Sequence, residues 1–79
     1  MTKYSKIERA WLKAIGSNIR KLRQQKGFSQ ENFAFECNLD RTYIGGIERG
    51  ERNLAAINII RIAKVLKVAP GTIFENAGE

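Results

Sequence analysis

With 79 residues, 43% of them hydrophobic, and a formal net charge of +6 at pH 7, the chain is sized for one small domain and is strongly basic. A positive balance of that size points to a polyanionic partner, because a basic surface raises both affinity and encounter rate for phosphate. The absence of histidine and the single cysteine, Cys37, exclude a disulfide framework, most metal sites and the commonest general base at neutral pH, so no enzyme, metal, cofactor or small-molecule ligand is expected.

Helical spacing dominates from the start. Ile7, Trp11, Ala14, Ile15, Ile19 and Leu22 recur at steps of three and four, giving a long first helix one apolar face and leaving Lys13, Arg20, Lys21 and Lys26 on the other. Ser5 with Glu8 three residues on is a capping box that starts this helix, and Gly27 supplies the left-handed backbone that ends it. Ser29 caps a short second helix whose Phe33, Ala34 and Cys37 share a face, with Cys37 read as a small buried hydrophobe. Asn38 and Leu39 form a turn, Asp40 caps a third helix with Ile44 and Ile47 inward, and Gly50 closes it. After the polar loop Glu51-Arg52-Asn53, a fourth helix carries Ile59, Ile60, Ile62, Ala63, Val65 and Leu66 on more than one face, which predicts a place at the centre of the core. Pro70, preset for a first helical position, opens a short fifth helix with Ile73 and Phe74 before a polar tail. The predicted fold is all-α, a compact five-helix bundle forming one domain over residues 1–79, with residues 70–79 as the fifth helix and tail. No secretory leader or membrane span is apparent, so a cytoplasmic protein is expected.

The functional signal lies between Ser29 and Asn53, where two short helices flank a tight polar turn. In a helix that starts at Asp40, the first-turn residues Arg41 and Thr42 project from the end opposite Ile44 and Ile47. A duplex major groove, about 12 Å wide, admits one helix, and arginine there reaches guanine O6 and N7 while threonine offers a hydroxyl and a methyl. Gly45 and Gly46 together cost about 1.6–2 kcal/mol relative to alanine in a helix interior. Two reasons stand open for them: close approach of the backbone to DNA, or tight packing against a neighbouring helix, the latter weighing at least equally for Gly46.

Residues 16–75 resemble the helix-turn-helix family of lambda-type repressors, and the run NLDRTYIGGIERGERN resembles the small controller proteins of restriction–modification systems. The resemblance implies that Gln30, ambiguous from sequence alone, holds a backbone phosphate. It implies that helix three enters the major groove with Arg41, Thr42 and Tyr43 on its DNA-facing first turn, and that Arg49, Arg52 and Asn53 follow the backbone beyond it. Tyr43 is open between core packing and a phosphate or sugar contact. The resemblance also implies a structural salt bridge between Arg23 and Glu48 that braces helix three. Gly45 stands on the expected DNA face where controllers often carry serine, and Ala55 and Ala69 stand where a serine would cap helices four and five, at about 1 kcal/mol each. Residues 1–15 extend beyond the minimal family domain as a lengthened, packed helix one, with Trp11 a core or subunit contact. The basic face of that helix reads as solvated surface, apart from Lys26 near its end.

Two copies related by a twofold axis read a palindrome with half-sites about 10 bp apart. Ile73 and Phe74 sit on a helix too short to bury both, so helix five, with Leu66 of helix four, is expected to form an isologous homodimer interface. The resulting expectation is a homodimeric transcription regulator on a palindromic double-stranded DNA operator, positioned by Gln30 and Arg52 and reading bases with Arg41 and Thr42. The controller resemblance further implies regulation of its own gene and an endonuclease gene, with two dimers on adjacent sites, on the nucleoid of a bacterial or phage-infected cell. Rival readings are an antitoxin that represses its own operon, a generic phage-type repressor, and an RNA-binding module, which the scarcity of exposed aromatics disfavours.

Overall fold

Ser5 starts the first helix as its sequence signature requires: its Oγ accepts from the Glu8 N–H at 3.1 Å while its own N–H donates to Glu8 Oε1 at 2.9 Å. The computed structural model describes residues 3–78 and contains five helices among them: α1 Lys6–Gln25, α2 Gln30–Cys37, α3 Arg41–Glu48, α4 Ala56–Leu66 and α5 Pro70–Ile73. Helix α1 ends on Gly27 at φ 83°, where the Phe28 N–H returns to the Arg23 carbonyl at 3.1 Å. Ser29 caps α2 by accepting from the Asn32 N–H at 3.0 Å, and Asn38 at φ 59° turns the chain toward α3. Asp40 holds the expected cap position with extended backbone, but its carboxylate accepts no cap hydrogen bond, so α3 begins on its backbone alone.

Helix α1 packs on α3 and α5, α2 packs on α3 and α4, and α4 packs on α5. The core they enclose is Ile19, Phe33, Ala34, Cys37, Ile44, Ile47, Ile62, Ala63, Leu66 and Ile73, all buried. Phe28 lies against the rim of this core with its ring centroid 5.6 Å from that of Phe33. Burial, reinforced by the nearby Glu36 charge, pushes the Cys37 thiol up to about 11, which keeps it protonated and unreactive. The tail folds back because the Asn18 side-chain amide donates to the carbonyls of Ile73 and Glu75, each at 2.9 Å.

Three expectations are corrected. Leu66 and Ile73 are fully buried within the chain and offer no surface to a second copy; α5 turns Ile73 into the core and leaves Phe74 outside, 41% exposed. Helix α4 is not surrounded: Ile62, Ala63 and Leu66 face the core, while Ile57 and Ile60 are 61% and 48% exposed on its outer side. The first turns of α1 project past the core, so Trp11 is 42% exposed and Ile7 more so; neither is a core residue, and of the two readings of Trp11 only the subunit contact stands.

Ala55 and Ala69 make no side-chain cap, as expected. Ala55 sits at φ −74° and ψ 151°, the backbone that a capping serine uses. Ala55→Ser is therefore expected to stabilise the fold by about 1 kcal/mol, raising Tm by about 4–8 °C for a domain of this size. Calorimetry showing no rise would mean that solvent already satisfies the first turn of α4.

Candidate nucleic-acid interface

The α2–turn–α3 unit owes its rigidity to a buried ionic cluster beneath it. Arg23 of α1 donates through Nε to Glu48 Oε2 at 2.6 Å and through Nη2 to Oε1 at 3.1 Å, a bidentate fork, and its Nη1 reaches the Phe28 carbonyl at 2.8 Å. Glu48 lies at the last position of α3, so the fork fixes that helix against α1 as expected for this pair. Gln30, the first residue of α2, donates from Nε2 to the same Glu48 Oε1 at 3.0 Å. One carboxylate thus ties α1, α2 and α3 together. Gln30 remains half-exposed with a second Nε2–H available, which is what a phosphate contact requires.

Arg41 and Thr42 project into solvent from the first turn of α3, while Ile44 and Ile47 face the core. Tyr43 is half-buried, and the core-packing reading describes part of its setting. Its ring packs against the core edge, and its hydroxyl accepts from Asn58 Nδ2 of α4 at 3.0 Å, leaving the hydroxyl proton free to donate outward. Asn58 has no motif that would have singled it out.

The two glycines separate in role. A Cβ at Gly46 would lie 2.9 Å from Cγ and 3.2 Å from Nε of Arg52, so this glycine makes room for the Arg52 side chain to lie back along α3. What covers Gly46 is a side chain, not the neighbouring helix that the packing reading called for. Arg52 then places its guanidinium carbon 5.9 Å from the Tyr43 ring centroid, a cation–π contact that holds it beside α3. A Cβ at Gly45 would lie 3.1 Å from Arg49 Nη1 and 3.8 Å from Gln30 Oε1, so Gly45, expected on the DNA face, is instead buried beneath these two side chains. Arg49 is exposed and pairs with Glu51 at 3.1 Å, a contact that raises the guanidinium pKa and lowers that of the carboxyl. Arg52 and Asn53 are exposed on the loop beyond.

The geometry therefore brings Gln30, Arg41, Thr42, Tyr43, Gly45, Arg49 and Arg52 around one short helix. Residues 19–73 match the helix-turn-helix family. The control protein C.BamHI of Bacillus amyloliquefaciens is 48% identical over 62 residues, 77% of this chain and 76% of that protein. The restriction–modification controller protein C.AhdI of Aeromonas hydrophila has a crystal structure that superposes with a TM-score of 0.78 at 46% identity, covering 80% of this chain and 96% of that one. This chain belongs to the helix-turn-helix controller proteins of restriction–modification systems. A further controller, C.Esp1396I, has been solved as a tetramer with its natural 35 base-pair operator; it is 43% identical at a TM-score of 0.74, covering 85% of this chain and 88% of that chain. Among the described residues of this controller, no helix is long and apolar enough to cross a membrane.

Proposed function

We propose that the protein is a cytoplasmic, sequence-specific transcription regulator, and not an enzyme, that binds a palindromic operator as a homodimer and controls its own gene and that of a restriction endonuclease. The observation that carries this reading is the first turn of α3, where Arg41 and Thr42 have no side-chain partner among the described residues, on a helix whose other end is anchored by the Arg23–Glu48 fork. A base-reading helix needs both properties, because an arginine occupied within the protein could not discriminate bases, and a loosely held helix could not present it in register. Gln30, Arg49, Arg52 and Asn53 flank that turn as backbone contacts, and Tyr43 adds its hydroxyl proton. Ile57, Ile60 and Phe74, exposed on the outer sides of the packed pair α4 and α5, form the apolar surface through which two copies associate. The tetrameric assembly of the related C.Esp1396I on its operator favours two dimers on adjacent sites over the antitoxin reading.

The test is a footprint on DNA upstream of the protein's own gene, followed by binding of two variants to the protected site and to unrelated duplex. Arg41→Ala should lose about 1–3 kcal/mol on the operator with little change elsewhere, as loss of a bidentate base contact does. Arg52→Ala should weaken both duplexes alike and lower the slope of log affinity against log salt by about 0.9 per protomer. Equal weakening on both duplexes by Arg41→Ala would reduce it to a phosphate contact and remove the central support for base reading.

A further inference from the structure

We propose that the amino-terminal turns of α1 carry a second phosphate track, formed by Lys6, Arg9 and Lys13, which runs on from Arg49 and grips the backbone of the same DNA duplex; this inference rests on the DNA-binding reading above. Lys6, Arg9 and Lys13 fall at spacings of three and four and so share one face of α1, outside the apolar stripe. That face abuts the carboxyl end of the recognition helix. Gly50, at φ 78°, lets the two backbones meet, since a Cβ there would lie 2.7 Å from Lys13 Cα and 2.8 Å from Lys13 N. The row is therefore locked in position relative to Arg49 and Arg52.

Arg9, Lys13 and Arg49 line one open cleft of about 360 Å³, with Glu51 as its single acidic member. Glu51 is already engaged by Arg49 at 3.1 Å. Lys6, Arg9 and Lys13 line the adjoining hollow with no carboxylate at all, and among the described residues none of the three forms a salt bridge. Lys6 and Arg9 also stand in the opening turns of α1, where the helix dipole disfavours cations. Like charges gathered against the dipole without carboxylate partners among the described residues raise the energy of the free protein and favour association with a polyanion. A DNA backbone supplies phosphates at regular spacing beside a recognition helix already directed at the groove. Both charge complementarity and continuity with Arg49 thus select duplex DNA as the occupant.

The test compares the wild type with Lys6→Gln/Arg9→Gln, which leaves Lys13 packed on Gly50, by fluorescence anisotropy on operator and unrelated duplex over a range of salt. The salt slope should fall by about 1.8 per protomer, two phosphates at 0.9 each, with the ratio of operator to unrelated affinity unchanged. Lys6→Arg/Arg9→Lys, which keeps the charge, should retain the wild-type slope; loss of slope there as well would mean that folding, not charge, had been altered, and would overturn the inference. An unchanged slope in the glutamine variant, with Arg41→Ala still losing operator preference, would overturn the track while leaving base reading intact. A wild type that binds all duplexes equally would remove the base-reading proposal alone, because the slope difference still decides the track. Failure of the wild type to bind duplex removes both.

Discussion

Glu48→Ala is expected to destabilise the protein by about 3–5 kcal/mol, a loss comparable with much of the roughly 5–15 kcal/mol that holds a small domain folded. The magnitude follows from what the substitution leaves behind. Arg23 is 8% exposed and makes two of its three side-chain hydrogen bonds to Glu48, so removing the carboxylate strands a buried guanidinium with the Phe28 carbonyl as its remaining protein partner. An exposed ion pair of the same geometry would be worth about 0–1 kcal/mol. Chemical denaturation of the variant distinguishes the two cases, and a loss below about 1 kcal/mol would mean that water reaches Arg23 and that the fork is not a structural anchor. Arg23→Met/Glu48→Leu separates stability from function. Replacing a buried pair by apolar residues of similar volume is often neutral, so this double variant should recover most of the lost stability. It should still bind DNA poorly, because Gln30 no longer has the acceptor that orients it.

The Arg23–Glu48–Gln30 cluster also explains how a helix of eight residues, without a side-chain cap at Asp40, is held firmly enough for the base-reading role proposed for it. Isolated helices of that length are marginal in water, and α3 is held instead by the core at Ile44 and Ile47, by Glu48 at its end and by the Asn58–Tyr43 hydrogen bond at its side. Its outward face is thereby left to Arg41 and Thr42 without being needed for stability.

What could be read from the sequence was what is local. Ser5 with Glu8, Ser29, Gly27 and Gly50 act within one helical turn, and each does in the fold what its residue type dictates. The exposed Arg41 and Thr42 were equally legible, because two polar residues directly after a predicted cap occupy the first turn of the helix, ahead of the inward Ile44 and Ile47. Burial across the chain was less so. Periodicity marks Leu66 and Ile73 as apolar-face residues, but it cannot say whether the same chain or a second copy covers them; here the same chain does. Gly46 was ambiguous because the residue over it, Arg52, arrives by way of a loop whose course no spacing rule specifies. The Lys6, Arg9 and Lys13 spacing was present in the sequence, yet it acquires meaning only once Gly50 brings α1 onto the end of α3.

Gly16 is the extreme case of this kind, since a glycine in mid-helix carries no periodic signal and reads as a weakness of about 1 kcal/mol relative to alanine. In the fold it is where α1 crosses the end of α3 backbone to backbone. A Cβ there would overlap the Ile47 carbonyl oxygen and lie 2.8 Å from that of Glu48. Neither atom belongs to a flexible side chain, so relief would require moving α3 itself. Gly16→Ala, which helix propensity alone would favour, is accordingly expected to destabilise by about 3 kcal/mol or more, at the upper end of overpacking costs. Gly71→Ala provides the contrast, because nothing lies within 4 Å of its added methyl and it should be neutral or mildly stabilising. If thermal melts placed Gly16→Ala within about 1 kcal/mol of the wild type, the close crossing would be wrong. Any Gly16→Ala protein that remains folded should also lose operator affinity, because displacing Ile47 and Glu48 shifts the helix that carries Arg41 and loosens the fork that holds it.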